Sequence, residues 1–152
     1  MNRIKCKSAI LHKIGAEKPY SKSKPISIED VIIEAPGNEE ILVKVKYASL
    51  CHSDLSVINS IRPRPVPMAL GHEGAGIIEK VGSNVKDFKK GDHVVFVFVP
   101  SCGSCISCLE GRPSLCDPGL KSNTAGTLLS GERRISYNGN KINHHVGVSC
   151  FS

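Results

Sequence analysis

The segment SCGSCISCLEGRPSLC, residues 101–116, contains four closely spaced cysteines, Cys102, Cys105, Cys108 and Cys116. A loop with such spacings can bring four thiolates to the corners of a tetrahedron around zinc, at metal–sulfur distances of about 2.3 Å. Because four protein ligands leave no position for water or substrate, such a site stabilises a fold and does not catalyse. The sequence therefore predicts a structural zinc lobe at about residues 100–117.

Two other interpretations of the cysteine segment stay open. An iron–sulfur cluster uses similar first spacings, but in the bacterial pattern the fourth cysteine follows after three residues and precedes a proline. Here it follows after seven residues and precedes Asp117. Ordinary buried thiols are the other alternative, but Gly103, Ser104 and Ser107 give the segment no apolar face to bury. Both alternatives fit the segment less well than zinc does.

Length and composition predict one domain covering residues 1–152, since 152 residues with 40% hydrophobic content suit a single moderate core. The net charge of +6 comes from scattered basic residues, and only 5% of residues are aromatic, which argues against a nucleic-acid partner. No apolar run near the start is long enough for a signal peptide or a membrane span. We therefore expect a cytoplasmic protein without a membrane partner, in which its seven cysteines bind metal more readily than they form disulfides.

Hydrophobic periodicity predicts a mainly β fold. ILVKVKY, residues 41–47, alternates apolar and charged residues, which places Val43, Val45 and Tyr47 on one face of a half-buried strand. Similar patterns predict strands at residues 6–11, 26–33, 74–81, 93–99 and 133–137. Many short strands separated by turns are typical of an irregular barrel or a sandwich.

Helical signals are few. A two-turn helix is predicted after Cys51, with Ser53 or Asp54 as its cap, and a single turn in the cysteine segment that ends at Gly111. Apart from the strand at 133–137, residues 117–143 are rich in glycine, serine and asparagine, and we expect them to run over the surface.

A second group of metal-binding residue types lies at the predicted strand ends. Cys51 and His72 could supply two ligands of a catalytic zinc, which takes three protein ligands and keeps one open position. Taken alone, a cysteine and a histidine twenty residues apart are more typical of a buried thiol and a hydrogen-bonded histidine. The catalytic shell is incomplete, and His144, His145 or an outside molecule could fill it, although a pair of neighbouring histidines is usually a surface feature.

Three segments carry a family resemblance: EILVKVKYASLCHSDL (40–55), LGHEGAGIIEKVGSNVKDFKKGDHVV (70–95) and PSCGSCISCLEGRPSLC (100–116). In order and spacing the chain resembles the N-terminal GroES-like catalytic domain of the zinc-dependent alcohol dehydrogenases, in the medium-chain dehydrogenase/reductase family. The resemblance implies a GroES-like irregular β-barrel with a few short helices and a zinc-binding loop. It also implies hydride transfer between a small alcohol or aldehyde and NAD or NADP at a catalytic zinc.

Site roles follow from the resemblance position by position. Cys51 and His72 resemble ligands of the catalytic zinc, and Glu73 resembles the carboxylate beside it that can approach the metal. Ser53 resembles the hydroxyl that receives the alcohol proton, and Asp54 the carboxylate that orients the histidine ligand.

His52 matches the position that approaches the cofactor pyrophosphate. Without the resemblance, Ser53 is a helix cap, Asp54 a solvated carboxylate and Glu73 the start of a strand. Ser56 stands where several relatives end the proton relay in a histidine, so we expect the relay here to end in water or in another group.

None of the three matching segments corresponds to the family's nucleotide-binding region. Gly74 and Gly76 are followed by Glu79 and a predicted strand, which is not a dinucleotide-binding fingerprint. We therefore expect the Rossmann domain to be absent and the chain alone to be inactive. NAD or NADP would bind only if a complementing nucleotide-binding chain supplied the missing domain, and self-association through an uncovered apolar patch is a further candidate interaction. The alternative function is a non-catalytic, zinc-stabilised β module used for binding or assembly.

Overall fold

The fold consists mainly of short strands, and the computed structural model describes residues 3–152. The strands are β1 (Ile4–Leu11), β2 (Ile26–Ile33), β3 (Ile41–Ser49), β4 (Met68–Ala69), β5 (Glu73–Val81), β6 (His93–Val95), β7 (Ile135–Tyr137), β8 (Asn140–Lys141) and β9 (Asn143–His144). The helices are α1 (Tyr20–Ser23), α2 (His52–Ile58), α3 (Ile106–Leu109) and α4 (Asp117–Ala125), with one 3₁₀ turn at Pro113–Leu115. None of the described helices is long and apolar enough to cross a membrane.

Two sheets form an irregular, nearly closed barrel. The larger sheet has the strand order β8-β7-β2-β1-β4-β9, and the smaller one has the order β3-β5-β6. All pairs are antiparallel except β4 with β9. The predicted mainly β, GroES-like class is confirmed, and residues 3–152 contain no doubly wound parallel sheet.

The core lies on both faces of β1. Successive strand side chains point to opposite faces, so Ile10 joins one apolar cluster and Leu11 the other. Each fully buried aliphatic side chain contributes about 1.5–3 kcal/mol. The Leu11 cluster also contains Val57 and Ile58 of α2 and Leu70, which precedes the metal-ligand candidate His72 by two residues. The same apolar contacts that stabilise the barrel therefore fix α2 and the start of β5.

The predicted strands lie where the sequence placed them, with three corrections: the face of Tyr47, the end of the strand predicted at 93–99, and the start of the strand predicted at 133–137, which begins at Ile135. Tyr47 does not share the half-buried face of Val43 and Val45, because the β3–β5 register shifts between Val45 and Tyr47 and leaves the Tyr47 ring 80% exposed. The strand predicted at 93–99 stops at Val95. It lies at the edge of the smaller sheet, where only Phe96 N extends the pairing, donating to Gly74 O at 2.9 Å.

The expectation that residues 117–143 run over the surface holds only in part, because exposed positions are interspersed with buried ones such as Ser122 and Thr127. The segment forms α4, β7 and β8, and Ile135 and Ile142 are core residues. Small residues allow this close packing, because a Cβ on Gly119 would lie 1.8 Å from Pro100 O. Gly126 ends α4 with a φ of +67°. A composition typical of loops here permits close contact between the helix and the barrel.

The two histidines near the end of the chain are buried, so the expectation of a surface pair is wrong. His144 lies in β9, where its Nε2 accepts a hydrogen bond from Arg134 N at 3.0 Å. Burial lowers the pKa of His144 to about 4, so this imidazole is neutral at physiological pH. Its acceptor nitrogen is used within the fold, which removes His144 from the candidate metal ligands.

The buried imidazole predicts a pH dependence of stability. Between pH 6.5 and about 4, the unfolded chain protonates His144 and the folded chain does not, so the free energy of unfolding falls as the pH is lowered through this range. From the size of the pKa shift, this residue accounts for about 3 kcal/mol at the acid end. His144→Gln should show a flatter decline in urea unfolding measured across the same range. His12→Gln, at a more exposed histidine, should follow the wild type, and equal slopes for His144→Gln and wild type would contradict the assignment.

Candidate metal centres

The first candidate centre is the cysteine lobe, which α3 and the 3₁₀ turn shape. Its four sulfurs all lie within 4.8 Å of one another, and all seven cysteines of the chain are free thiols. A tetrahedron with metal–sulfur bonds of about 2.3 Å has sulfur–sulfur edges of about 3.8 Å. The predicted four-cysteine cluster is therefore assembled, and it fits a closed zinc site.

Backbone N–H groups point at two of the lobe sulfurs. Cys105 N donates to Cys102 Sγ at 3.3 Å, whereas Cys116 Sγ accepts from Cys102 N at 3.2 Å and from Gly119 N at 3.3 Å. Hydrogen bonds to a thiolate favour its charged form. These donors therefore suit sulfurs that carry negative charge, as metal ligands do.

The lobe thiols differ in acidity. Hydrogen bonds from the backbone and hydroxyl of Ser104 lower the pKa of Cys102 to about 6. Desolvation and the neighbouring thiols raise the pKa of Cys108 to about 11. Four thiolates at such short distances repel one another, so full deprotonation requires a cation among them. The donor set therefore fits a divalent metal that binds soft ligands.

Among the interactions available to the cysteine lobe, metal binding contributes most to its order. Ile106 and Leu109 of α3 are 77% and 74% exposed, so the lobe has little apolar core. Cys116 also caps α4, because its sulfur accepts the N–H of Gly119 in the first turn of that helix. The lobe and α4 therefore depend on the same sulfur.

Loss of the lobe metal should disorder residues 100–125 and leave the barrel folded. Structural zinc contributes on the order of 10–16 kcal/mol in zinc-finger peptides, far more than this lobe gains from apolar burial. Cys105→Ser should therefore abolish hydrogen-exchange protection in this range while β1 and β2 stay protected. Cys6→Ser, at a cysteine outside the cluster, is the matched control. Unchanged protection in Cys105→Ser would contradict a metal-ordered lobe, and a brown protein would indicate iron–sulfur in place of zinc.

The second candidate centre lies where β3 leads into α2 and β5 begins. Ser49, at the end of β3, pairs with Glu73, at the start of β5. This pairing brings Cys51 and His72 together, and Cys51 Sγ, a ring nitrogen of His72 and a carboxylate oxygen of Glu73 lie within 4.8 Å of one another. Sulfur, imidazole and carboxylate are zinc ligands, and three of them leave one position open. Glu73 is thus close enough to serve as a third ligand beside Cys51 and His72, the two ligand candidates found in the sequence.

The two ring nitrogens of His72 face different partners. Nδ1 lies 3.4 Å from Asp54 Oδ1, and Nε2 lies 4.0 Å from Glu73 Oε1. A carboxylate next to Nδ1 favours the tautomer that leaves Nε2 free for a metal. The ring is fully enclosed, and Phe98 packs against it edge-on at a centroid distance of 6.1 Å.

Asp54 is the buried hub of this centre, with 3% of its surface exposed. Its Oδ2 accepts from Cys51 N at 3.3 Å, and its Oδ1 accepts from Gly71 N at 3.2 Å. Burial opposes its charge, but contacts with His145 and His72 and the Cys51 N–H outweigh burial and hold the pKa of Asp54 below its usual range. The N-cap of α2 is Cys51, so the prediction of Ser53 or Asp54 as the cap is wrong, and Asp54 instead reaches back to the cap residue.

Ser49 and His145 also lie in the candidate site; the sequence did not point to Ser49, and it offered His145 only as one of several ways to fill the incomplete shell. His145 Nδ1 lies 3.0 Å from Asp54 Oδ1, and its ring meets that of His72 edge-on at 5.0 Å. Ser49 Oγ donates to Glu73 Oε2 at 2.5 Å and lowers the pKa of Glu73. The apolar neighbours Ile142 and Val146 were a signal that the histidines are buried. The Ser49 contact depends on strand register, which the sequence does not specify.

The predicted polar residues of α2 divide into two groups. Ser53 Oγ lies 3.7 Å from Cys51 Sγ and lines a cavity of about 200 Å³ together with His72. His52 is exposed outside the ligand cluster. Ser56 is buried and donates to the carbonyl oxygen of His52 at 3.0 Å. The structure therefore brings Ser53 to the ligands and leaves His52 facing outward.

Comparison with known proteins shows the family. Residues 37–139 match the alcohol dehydrogenase GroES-like domain, and the chain belongs to this family, whose homologues here are zinc alcohol dehydrogenases. It is 35% identical over 150 residues to the alcohol dehydrogenase class-3 of Drosophila melanogaster, covering 98% of this chain and 38% of that protein.

Two solved structures support the assignment. An alcohol dehydrogenase zinc-binding domain protein from Burkholderia ambifaria superposes with a TM-score of 0.84 at 36% identity, covering 99% of this chain and 39% of that one. Benzyl alcohol dehydrogenase from Acinetobacter calcoaceticus gives 0.82 at 32% identity, covering 97% and 37%. The chain thus spans less than two fifths of the length of these relatives.

Asp54→Asn should weaken metal binding at the second centre and leave the lobe unaffected. Asparagine keeps the size but loses the charge that orients His72, and loss of such supporting carboxylates typically weakens metal affinity about 10–100-fold. Competition with a chromophoric chelator would measure the loss, with the lobe metal of the same sample as internal reference. Asp87→Asn, at an exposed aspartate, is the matched control. Equal affinity in Asp54→Asn and wild type would remove Asp54 from the site.

Proposed function

We propose that residues 1–152 form the N-terminal catalytic-domain portion of a zinc-dependent alcohol dehydrogenase that uses NAD or NADP. The observation that carries this proposal is the convergence of Cys51, His72 and Glu73 beside the hydroxyl of Ser53. The family match supports it, and so does the closed cysteine lobe, which we assign to structural zinc. A small alcohol or aldehyde is the proposed substrate.

The chain's own residues hold the metal and handle the proton. Zinc bound by Cys51, His72 and Glu73 would supply a Lewis acid that lowers the pKa of an alcohol. Ser53 accepts the alcohol proton, and Asp54 keeps His72 in one orientation and increases its basicity. With serine at position 56 and no imidazole there, the proton passes from Ser53 to water.

The nicotinamide cofactor needs a binding surface beyond this barrel. His52 is exposed at the first turn of α2, where we assign it to the cofactor pyrophosphate. Residues 3–152 contain no doubly wound sheet that would hold the rest of the dinucleotide. We therefore expect this chain, mixed with zinc, NAD and primary alcohols, to give no reduced cofactor above background. Turnover by the chain alone would show that it needs no separate nucleotide-binding domain.

Metal content tests the two centres separately. Elemental analysis should find two zinc ions per chain, because each centre supplies three or four ligands of suitable chemistry. Cys51→Ser and Cys105→Ser should each lose one ion, and Cys6→Ser should keep both. A wild-type protein with one zinc that Cys51→Ser does not change would contradict the catalytic centre.

A single zinc per chain that Cys51→Ser does not change is the result that the second candidate function predicts. All four lobe ligands lie within residues 102–116 and require nothing from Cys51 or His72. A zinc-stabilised β module used for binding or assembly would therefore keep the lobe metal alone. It would also tolerate Asp54→Asn without change in total metal content.

A further inference from the structure

A cavity of about 200 Å³ lies against the candidate catalytic centre. Ser53 and His72 line it, so the proposed proton acceptor and one of the candidate ligands face this space. Arg62 and Arg64, from the loop after α2, line the same cavity, and none of its lining residues is acidic. The cavity therefore combines reactive groups with an excess of positive charge, and its volume suits a small molecule.

Both arginines lack a carboxylate partner within the fold. Among the described residues, no acidic oxygen lies within 4.0 Å of either guanidinium. Arg64 Nη1 donates to the carbonyl oxygen of the neighbouring Pro63 at 3.2 Å. Arg134, by contrast, donates from Nε to Glu40 Oε2 at 2.8 Å and is used in holding the barrel together. The charges of Arg62 and Arg64 are therefore available to a ligand.

The loop that carries the arginines is fixed to the site helix. Arg62 N donates to Ser56 O of α2 at 2.8 Å, and prolines at positions 63 and 65 restrict the backbone on both sides of Arg64. The first turn of the same helix carries Ser53. The backbone that carries the two arginines is therefore held at a defined position relative to the proposed proton acceptor.

We propose that Arg62 and Arg64 form an anion subsite that binds a carboxylate of the substrate, so that the preferred substrates are hydroxy acids or the corresponding aldehyde acids. This inference rests on the proposed function and names its substrate class. Guanidinium groups match carboxylate geometry and bind it through paired hydrogen bonds. A cofactor phosphate has similar chemistry, but these arginines share their cavity with Ser53, the proposed acceptor of the substrate proton, and with His72.

Binding to the zinc-loaded 152-residue chain tests the subsite without turnover. In NMR titrations, 4-hydroxybutyrate should bind about tenfold more tightly than 1,4-butanediol, which has a hydroxyl where the acid has its carboxylate. Arg62→Gln and Arg64→Gln should each reduce this preference several-fold, whereas Arg62→Lys and Arg64→Lys should keep part of it. Lys90→Gln, which removes an equal charge outside the cavity, should leave it unchanged. Equal affinity for acid and diol, or an unchanged preference in both Gln variants, would overturn the subsite.

Two further experiments test whether the arginines bind the cofactor and whether the subsite depends on the candidate catalytic centre. ADP-ribose carries the cofactor phosphates, and its binding should be the same in wild type and in the two Gln variants. If these variants weaken the binding of ADP-ribose and not the binding of 4-hydroxybutyrate, the arginines bind the cofactor and the proposal is wrong. Cys51→Ser removes the candidate catalytic centre, and a preference for the acid that survives in it would support the subsite even if the proposed enzymatic function failed. Loss of that preference in a folded Cys51→Ser protein would instead show that the arginines do not form an independent subsite.

Discussion

The geometry of the candidate site depends on one buried carboxylate. Asp54 contacts the backbone N–H groups of Cys51 and Gly71 and the rings of His72 and His145, which belong to three separate segments of the chain. A buried charge is costly unless it is paired and hydrogen-bonded, and these four contacts supply the compensation. Each partner is thereby held at a defined distance from the same two oxygens. The positions of the candidate ligands Cys51 and His72 therefore follow from the contacts that compensate the buried charge of Asp54.

The two candidate metal centres are built in different ways. The lobe draws all its ligands from a single fifteen-residue segment, so local sequence nearly determines it. The second centre needs the β3–β5 pairing, the start of α2 and the segment around His145 to meet. Its ligands and supporting residues come from distant positions, and an error in barrel packing would separate them. This difference explains why spacing alone identified the lobe, whereas Cys51 and His72 gained meaning only through a family resemblance.

The sequence predicted the strands well where side-chain alternation reflects one half-buried face, as at residues 43–46 of β3. It failed at Tyr47, because a register shift interrupts the pairing there, which depends on the partner strand, and residues 46–49 are all exposed. It also failed in part for residues 117–143, where small residues that usually form loops serve close packing. The role of Ser49 was missed, and that of His145 was not singled out, for a related reason, since both arise from contacts between segments far apart in the chain. Residue types predicted the chemistry, and tertiary contacts decided which residues take part in it.

The double use of Cys116 links two parts of the molecule energetically. Its sulfur belongs to the lobe cluster and also caps α4, whose Leu120 and Asn123 form part of the wall of the cavity beside Ser53. Metal occupancy in the lobe is therefore coupled to the order of a cavity wall that Cys116 itself helps to form. Thermodynamic linkage is reciprocal, so a molecule that binds only when this wall is ordered strengthens metal binding in the lobe. The cysteine lobe, although its ligand set is closed to substrate, thus contributes to the binding space beside Ser53.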